Sequence, residues 1–290
     1  VTGTITLPGT ADNEFIYVLN DGTNAKNYEI TPVYGKLTIN DRKEEDKEAD
    51  KVTVAAESDK VTYDGKEHSV SKLSGTEFTW NGFKYTIEGL SAEAKGTDAG
   101  TYENTVTGTA KVLDANGNDV TAQFKVVTRD GALEISKRDV TLTSASATKE
   151  YDGSALTSDK VTSEGFVDGE GADYTVTGSI TLPGTTKNQF TYELKENTKA
   201  DNYNVKTVEG DLTVTDVSEA NKYTATVKAV SGNSKYDGNE HTVSGVEGTA
   251  FEWKGHNYTI EGLEATVAGK NAGSYINKVI GQAVVKDEAG

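Results

Sequence analysis

The chain contains no cysteine and no methionine, and only three prolines and three histidines in 290 residues. Without cysteine there can be no disulfide, no thiolate metal ligand and no thiol nucleophile. The absence of methionine, together with an opening in mid-pattern at Val1-Thr2-Gly3, reads as an interior piece of a longer protein, so a signal peptide or anchor missing here is not thereby missing from the parent. Basic residues are scarce, 29 against 46 acidic ones, for a formal charge of −17. Such a surface repels phosphate backbones and anionic bilayers, so neither nucleic acid nor a membrane is an expected partner of these residues. Amphipathic stretches longer than about ten residues are missing too, which excludes helical bundles and Rossmann-like architectures.

What is present is repetition. Tyr63 to Leu90 returns from Tyr236 to Leu263 without a gap, identical at 18 of 28 positions. Val1 to Asp41 returns from Val176 to Asp216, identical at 22 of 41. Self-similarity at a fixed period marks a tandem array. The chain divides into the second half of a B-type repeat (1–41), a charged linker (42–51), an A-type repeat (52–137), a complete B-type repeat (138–216) and a second A-type repeat lacking its last strands (217–290). Tyr-Asp-Gly recurs at Tyr63, Tyr151 and Tyr236, so both types are read as distant copies of one small β-unit. Open sheet edges are expected at the two incomplete repeats, where pairing with a neighbouring chain is a hazard for an otherwise monomeric protein.

Each A copy predicts a hairpin. Asn81-Gly82 suits the two positive φ angles of a type I′ turn, and Lys254-Gly255 is its weaker counterpart. That turn sets Trp80 against Phe83, Phe78 against Tyr85 and Thr76 against Ile87 on an aromatic face, with Thr79, Lys84, Glu77 and Thr86 on a polar one. Both repeat types end on strand, glycine turn (Gly35, Gly131, Gly210), strand. The run Asp41 to Lys51 reads as either a solvated linker or one short helix, and a linker or frayed turn is preferred, because so short a helix is marginal alone. The fold class is therefore mainly β: a tandem, elongated array of small β-domains, sandwich or β-grasp-like, without long helices.

Few residues offer chemistry. His68 and His241 occupy equivalent positions, with no second histidine or serine constellation beside them, and read as surface residues. His256 is replaced by Phe83 in the sister copy. The aspartates of Tyr-Asp-Gly (Asp64, Asp152, Asp237) read as turn formers whose side chains bond nearby backbone N–H groups. Asp114, Asn116, Asn118 and Asp119 form an oxygen-rich loop that is a candidate calcium site, although the downstream glutamate of an EF-hand is missing. Leu7-Pro8-Gly9-Thr10 and Leu182-Pro183-Gly184-Thr185 read as turns. Trp80, Tyr85, Trp253 and Tyr258 are the candidate ligand-binding residues, since aromatic platforms hold sugars; core packing on the inner face is the preferred reading. No cofactor is implied.

The Tyr-Asp-Gly turns, the Ala-Gly-Thr/Ser-Tyr motif (Ala99 to Tyr102, Ala272 to Tyr275), the Asp114 to Thr121 loop and the Asn-Tyr-x-Val…Gly-x-Leu-Thr-Val module ends resemble the MBG/YDG repeats of large bacterial, chiefly Gram-positive, surface adhesins. Thr62 and Gln123-Phe124 depart from that pattern. The resemblance implies an extracellular, cell-wall-attached, non-enzymatic stalk that presents a distal adhesive domain. The alternative is a module that itself binds carbohydrate, mucin or a host extracellular protein.

Overall fold

The computed structural model describes residues 1–290 and is mainly β, with many short strands, one six-residue α-helix and a few single 3-10 turns. The chain forms two compact units. The first comprises Val1–Asp139 together with Lys199–Asn204, and the second Val140–Thr198 together with Val205–Gly290.

In the first unit the A-type repeat is built from three small three-stranded sheets and one two-stranded pair. Phe83–Ser91 lies between Glu77–Trp80 and Thr107–Asp114, antiparallel to both. Val52–Ala56 runs parallel to Val126–Arg129 and antiparallel to Leu73–Ser74. Gly131–Ser136 is the middle strand of the third sheet, parallel to Asp59–Thr62 and antiparallel to Gly100–Asn104. Val54, Ile87, Val112, Val120 and Phe124 form one buried cluster with the first two sheets, and Leu133 and Ile135 of the third are buried as well. Ahead of this repeat, Gly9–Asn13 pairs antiparallel with Gly35–Ile39.

In the second unit the B-type repeat uses the same middle-strand arrangement. Asp211–Thr215 is parallel to Ala147–Glu150 and antiparallel to Gly184–Lys187. The second A copy repeats the hairpin sheet, with His256–Glu264 between Ala250–Trp253 and Ile280–Lys286.

The hairpin register is as the sequence predicts: Trp80 faces Phe83, Phe78 faces Tyr85, and Ile87 N–H donates to the Thr76 carbonyl at 2.7 Å. Asn81 and Gly82 have φ of 49° and 81°, and Lys254 and Gly255 have 50° and 82°, so both copies make the I′ turn. Phe83 is the exception to the buried face. At the tip of the strand pair, next to the turn, it is 68% exposed.

Two readings need correction. The charged run folds as an α-helix, Glu44–Ala49, where a linker or frayed turn was expected. Acidic residues occupy its first turn, where they complement the helix dipole, and Arg42 and Asp50 tie its two ends to the A-type repeat. Tertiary contact thus supplies what length cannot. Gly35, Gly131 and Gly210 are not turn glycines, since none has positive φ. A Cβ on Gly131 would collide with the Ala56 and Glu57 carbonyl oxygens, and one on Gly210 with the corresponding Ser144 and Ala145 carbonyls. Glycine is needed there so that a strand can pass close to another backbone.

Candidate functional site

The side chains that the sequence singles out gather in four settings: aromatic clusters beside the hairpins, the Tyr-Asp-Gly turns, the Asp114 loop, and the contacts linking one repeat to the next.

In the first A copy, Phe78 stacks on Tyr85 with centroids 5.3 Å apart. Phe124 meets Phe78, Trp80 and Tyr85 at 5.1, 5.6 and 4.8 Å. The indole of Trp80 is half-buried. Its N–H donates to Asp50 Oδ2 at 3.1 Å, and the Arg42 guanidinium lies 4.3 Å from the ring centroid. Arg42 also donates to the Gln123 carbonyl and ion-pairs with Asp50 at 2.6 Å. One face of the platform is therefore taken by a cation from the chain itself, held in place at the other end of its fork.

The second copy fills the same places differently. Phe251 stacks between Tyr223, at 4.7 Å, and Tyr258, at 5.4 Å. Trp253 packs on Tyr151 of the Tyr-Asp-Gly turn at 6.0 Å, and the Tyr151 and Tyr258 hydroxyls are 3.3 Å apart. Burial, with the Tyr151 hydroxyl second, pushes the Tyr258 phenol well above its usual range. Lys254 lies over the Trp253 ring. Both tryptophans are half-buried, with an aromatic neighbour and a cation against each.

The Tyr-Asp-Gly aspartates do turn work, as expected. Asp64 Oδ1 accepts from Lys66 N–H and from His68 Nε2, and Asp237 Oδ1 from Asn239 N–H and His241 Nε2. Asp152 Oδ1 accepts from Lys149 Nζ and from both the N–H and the hydroxyl of Ser154. These bonds, led by the one from Lys149, hold the Asp152 carboxyl far below the usual carboxylate range. The following Gly65, Gly153 and Gly238 all have positive φ, from 78° to 84°. The histidines therefore belong to these turns, four residues beyond the aspartate.

The Asp114 loop is a closed hairpin. Asp114 Oδ1 accepts from the N–H groups of Asn116 and Asn118 and Oδ2 from the Asn118 amide, while Asp119 Oδ1 accepts from Thr121 N–H and Oγ1. Bonds from Asn118 and Thr121 lower the respective carboxyl pKa values. The oxygens point into their own loop instead of toward a common centre. No group of three or more His, Asp or Glu side chains is arranged to hold a metal ion.

The link between repeats was not anticipated from the sequence. Within the first unit Tyr63 is 4% and Tyr203 4% exposed, and their rings meet edge to face at 5.5 Å. Asn202 Oδ1 accepts from Ala99 N–H at 2.7 Å and its amide donates to Asp98 Oδ1 at 3.0 Å, while Lys199 pairs with Asp98 Oδ2 at 2.6 Å. Two motifs that define the repeats, Tyr-Asp-Gly and Ala-Gly-Thr-Tyr of one, thus receive the Asn-Tyr of the next. Equally unanticipated are the buried amides of Asn104 and Asn188, whose Nδ2 groups donate at 2.9 Å to the Glu57 and Ala145 carbonyls, and the half-buried Asn277, whose amide donates to the Val230 carbonyl at 3.1 Å. The signal was present, an asparagine recurring at one position of every repeat.

No protein-family model, curated protein or solved structure matches the chain.

Proposed function

We propose that the chain is the tandem-repeat stalk of a bacterial cell-surface adhesin, extracellular and non-catalytic, which spaces and presents an adhesive domain carried elsewhere in the protein. The observation that supports this reading best is the seat of Asn202-Tyr203 against Tyr63 and Asp98. At this joint, residues of the recurring motifs connect one repeat to the next, which suits a protein that works in tension. The aromatic clusters support the same reading, because Trp80 and Trp253 each carry a cation and a second ring where a sugar platform needs an open face.

Single-molecule stretching between the chain termini tests it. A stalk of folded repeats unfolds in separate events, each releasing about 270 Å of contour for a repeat of roughly 80 residues. A single event releasing the whole chain would overturn the reading.

A further inference from the structure

The first A-type repeat and the B-type repeat both lie inside the chain, and they differ at one sheet. In the A copy Phe83–Ser91 has a strand on either side, Glu77–Trp80 and Thr107–Asp114. Its B counterpart, aligned through Tyr85-Thr86-Ile87 and Tyr174-Thr175-Val176, is Ala172–Val176, which pairs with Phe190–Leu194 alone. Residues 165–171, which precede it where the A copy has its hairpin partner, form no strand. The register says which backbone groups are left over. Lys195 N–H donates to the Gly171 carbonyl at 3.0 Å and Thr177 N–H to the Gln189 carbonyl at 2.9 Å, so Asp173 and Thr175 turn their backbone groups toward Phe190–Leu194. Ala172, Tyr174 and Val176 turn theirs the other way, and none of these groups has a hydrogen-bond partner in the chain. The A copies use the matching positions: Phe78 pairs with Tyr85, and the N–H groups of Ile87 and Ile260 donate at 2.7 Å to the Thr76 and Thr249 carbonyls.

We propose that the Ala172–Val176 edge takes up an extended, basic segment of a partner protein as an added antiparallel strand. Backbone bonds to Ala172, Tyr174 and Val176 supply the affinity, and alternate side chains supply the selection. Charge sets the partner's chemistry. Asp173 and Glu193 are both exposed and stand directly opposite each other across the strand pair, an arrangement of like charges that costs stability. The A copies have Lys84 and Asn257 at the place of Asp173. A lysine or arginine of the incoming strand beside Asp173 offsets the repulsion, whereas a second copy of this chain, at −17, adds to it. On its other face the strand sets an aromatic or β-branched residue beside Tyr174, as Phe78 sits beside Tyr85. The site belongs to the B-type repeat itself and does not depend on what the whole protein presents.

The test uses the intact chain and a synthetic peptide of residues 76–80, capped at both ends and carrying Glu77→Lys and Thr79→Lys, read by amide hydrogen exchange. In the free chain the amides of Ala172, Tyr174 and Val176 should exchange about tenfold or more faster than those of Asp173 and Thr175, and the peptide should remove that difference by slowing the first three. The same peptide with Phe78→Pro lacks the N–H that meets Tyr174 and should protect none of them. The peptide without the two lysines should be needed at about tenfold higher concentration for equal protection. Asp173→Lys in the chain should reverse that order; the comparison of peptides needs no substitution in the protein and stands if that variant misfolds. Outward amides that are already slow in the free chain overturn the proposal, as do equal action of the proline peptide, indifference to the lysines, or a dimer that protects these amides without peptide.

Discussion

At the scale of single residues, side-chain amides and carboxylates hold turns and strands at fixed distances. Asn104 is wholly buried between strands, and its amide is the partner of the Glu57 carbonyl. Asn104→Ala leaves that carbonyl without its donor and opens a small void, for an expected loss of about 2 kcal/mol in urea unfolding. Asp152 gives a pH signature. Its folded pKa is depressed by Lys149 and Ser154, so its contribution is fully present above the ordinary aspartate pKa of 3.8 and is lost as pH falls through the depressed value. Because the site is partly open to solvent, Asp152→Asn should cost about 1 kcal/mol at neutral pH. The difference between wild type and variant should shrink in acid; a difference that persists unchanged at low pH would assign the loss to the turn backbone alone. The aspartate turns were legible in the sequence, since Asp followed by Gly is a local signal. The buried asparagines were not, because their carbonyl partners lie 47 and 43 residues away.

At the scale of elements, the two hairpins are a natural comparison of turn sequences in one chain. Asn81 tolerates its φ of 49°, whereas Lys254 holds nearly the same angle of 50° with a side chain that disfavours it. Lys254→Asn is expected to stabilise the second copy by about 0.5–1 kcal/mol, seen as a rise in its thermal midpoint. The register of both hairpins was readable because two residues of turn determine it. The pairing of the remaining strands was not: Val126–Arg129 and Gly131–Ser136 are adjacent in sequence yet lie in different sheets, each beside a strand from the start of the repeat. Parallel neighbours so far apart leave no local pattern. The first half-repeat makes the point from the other side. Tyr28 and Ile30 carry the same motif as Tyr203 and Val205, which lie in a strand, but are 63% and 44% exposed and form none.

At the scale of the whole molecule, the first unit brings together motifs that lie far apart in sequence. Tyr63 and Tyr203 are 140 positions apart in sequence (203 − 63) and in ring contact. A double-mutant cycle of Tyr63→Ala and Tyr203→Ala should return a coupling of about 1 kcal/mol. Strict additivity would mean that the two rings are buried independently and carry no link. The net charge of −17 bears on this scale as well, since self-repulsion keeps such a chain hydrated while short-range packing holds its parts together.

Composition, period and turn chemistry by themselves determined that the chain is mainly β, that its sequence alternates two repeat types, and where the hairpin and Tyr-Asp-Gly turns lie. These properties are set by residues within a few positions of one another, so the linear text carries them. Only the tertiary structure decided that the charged run is a helix docked on Trp80, that Gly131 and Gly210 permit a close approach of backbones, and that the turn at Tyr63 receives Asn202-Tyr203. Those outcomes depend on which distant backbone or ring comes within a few ångströms, and loop closure over a hundred residues costs little more than over fifty, so spacing along the chain does not reveal it.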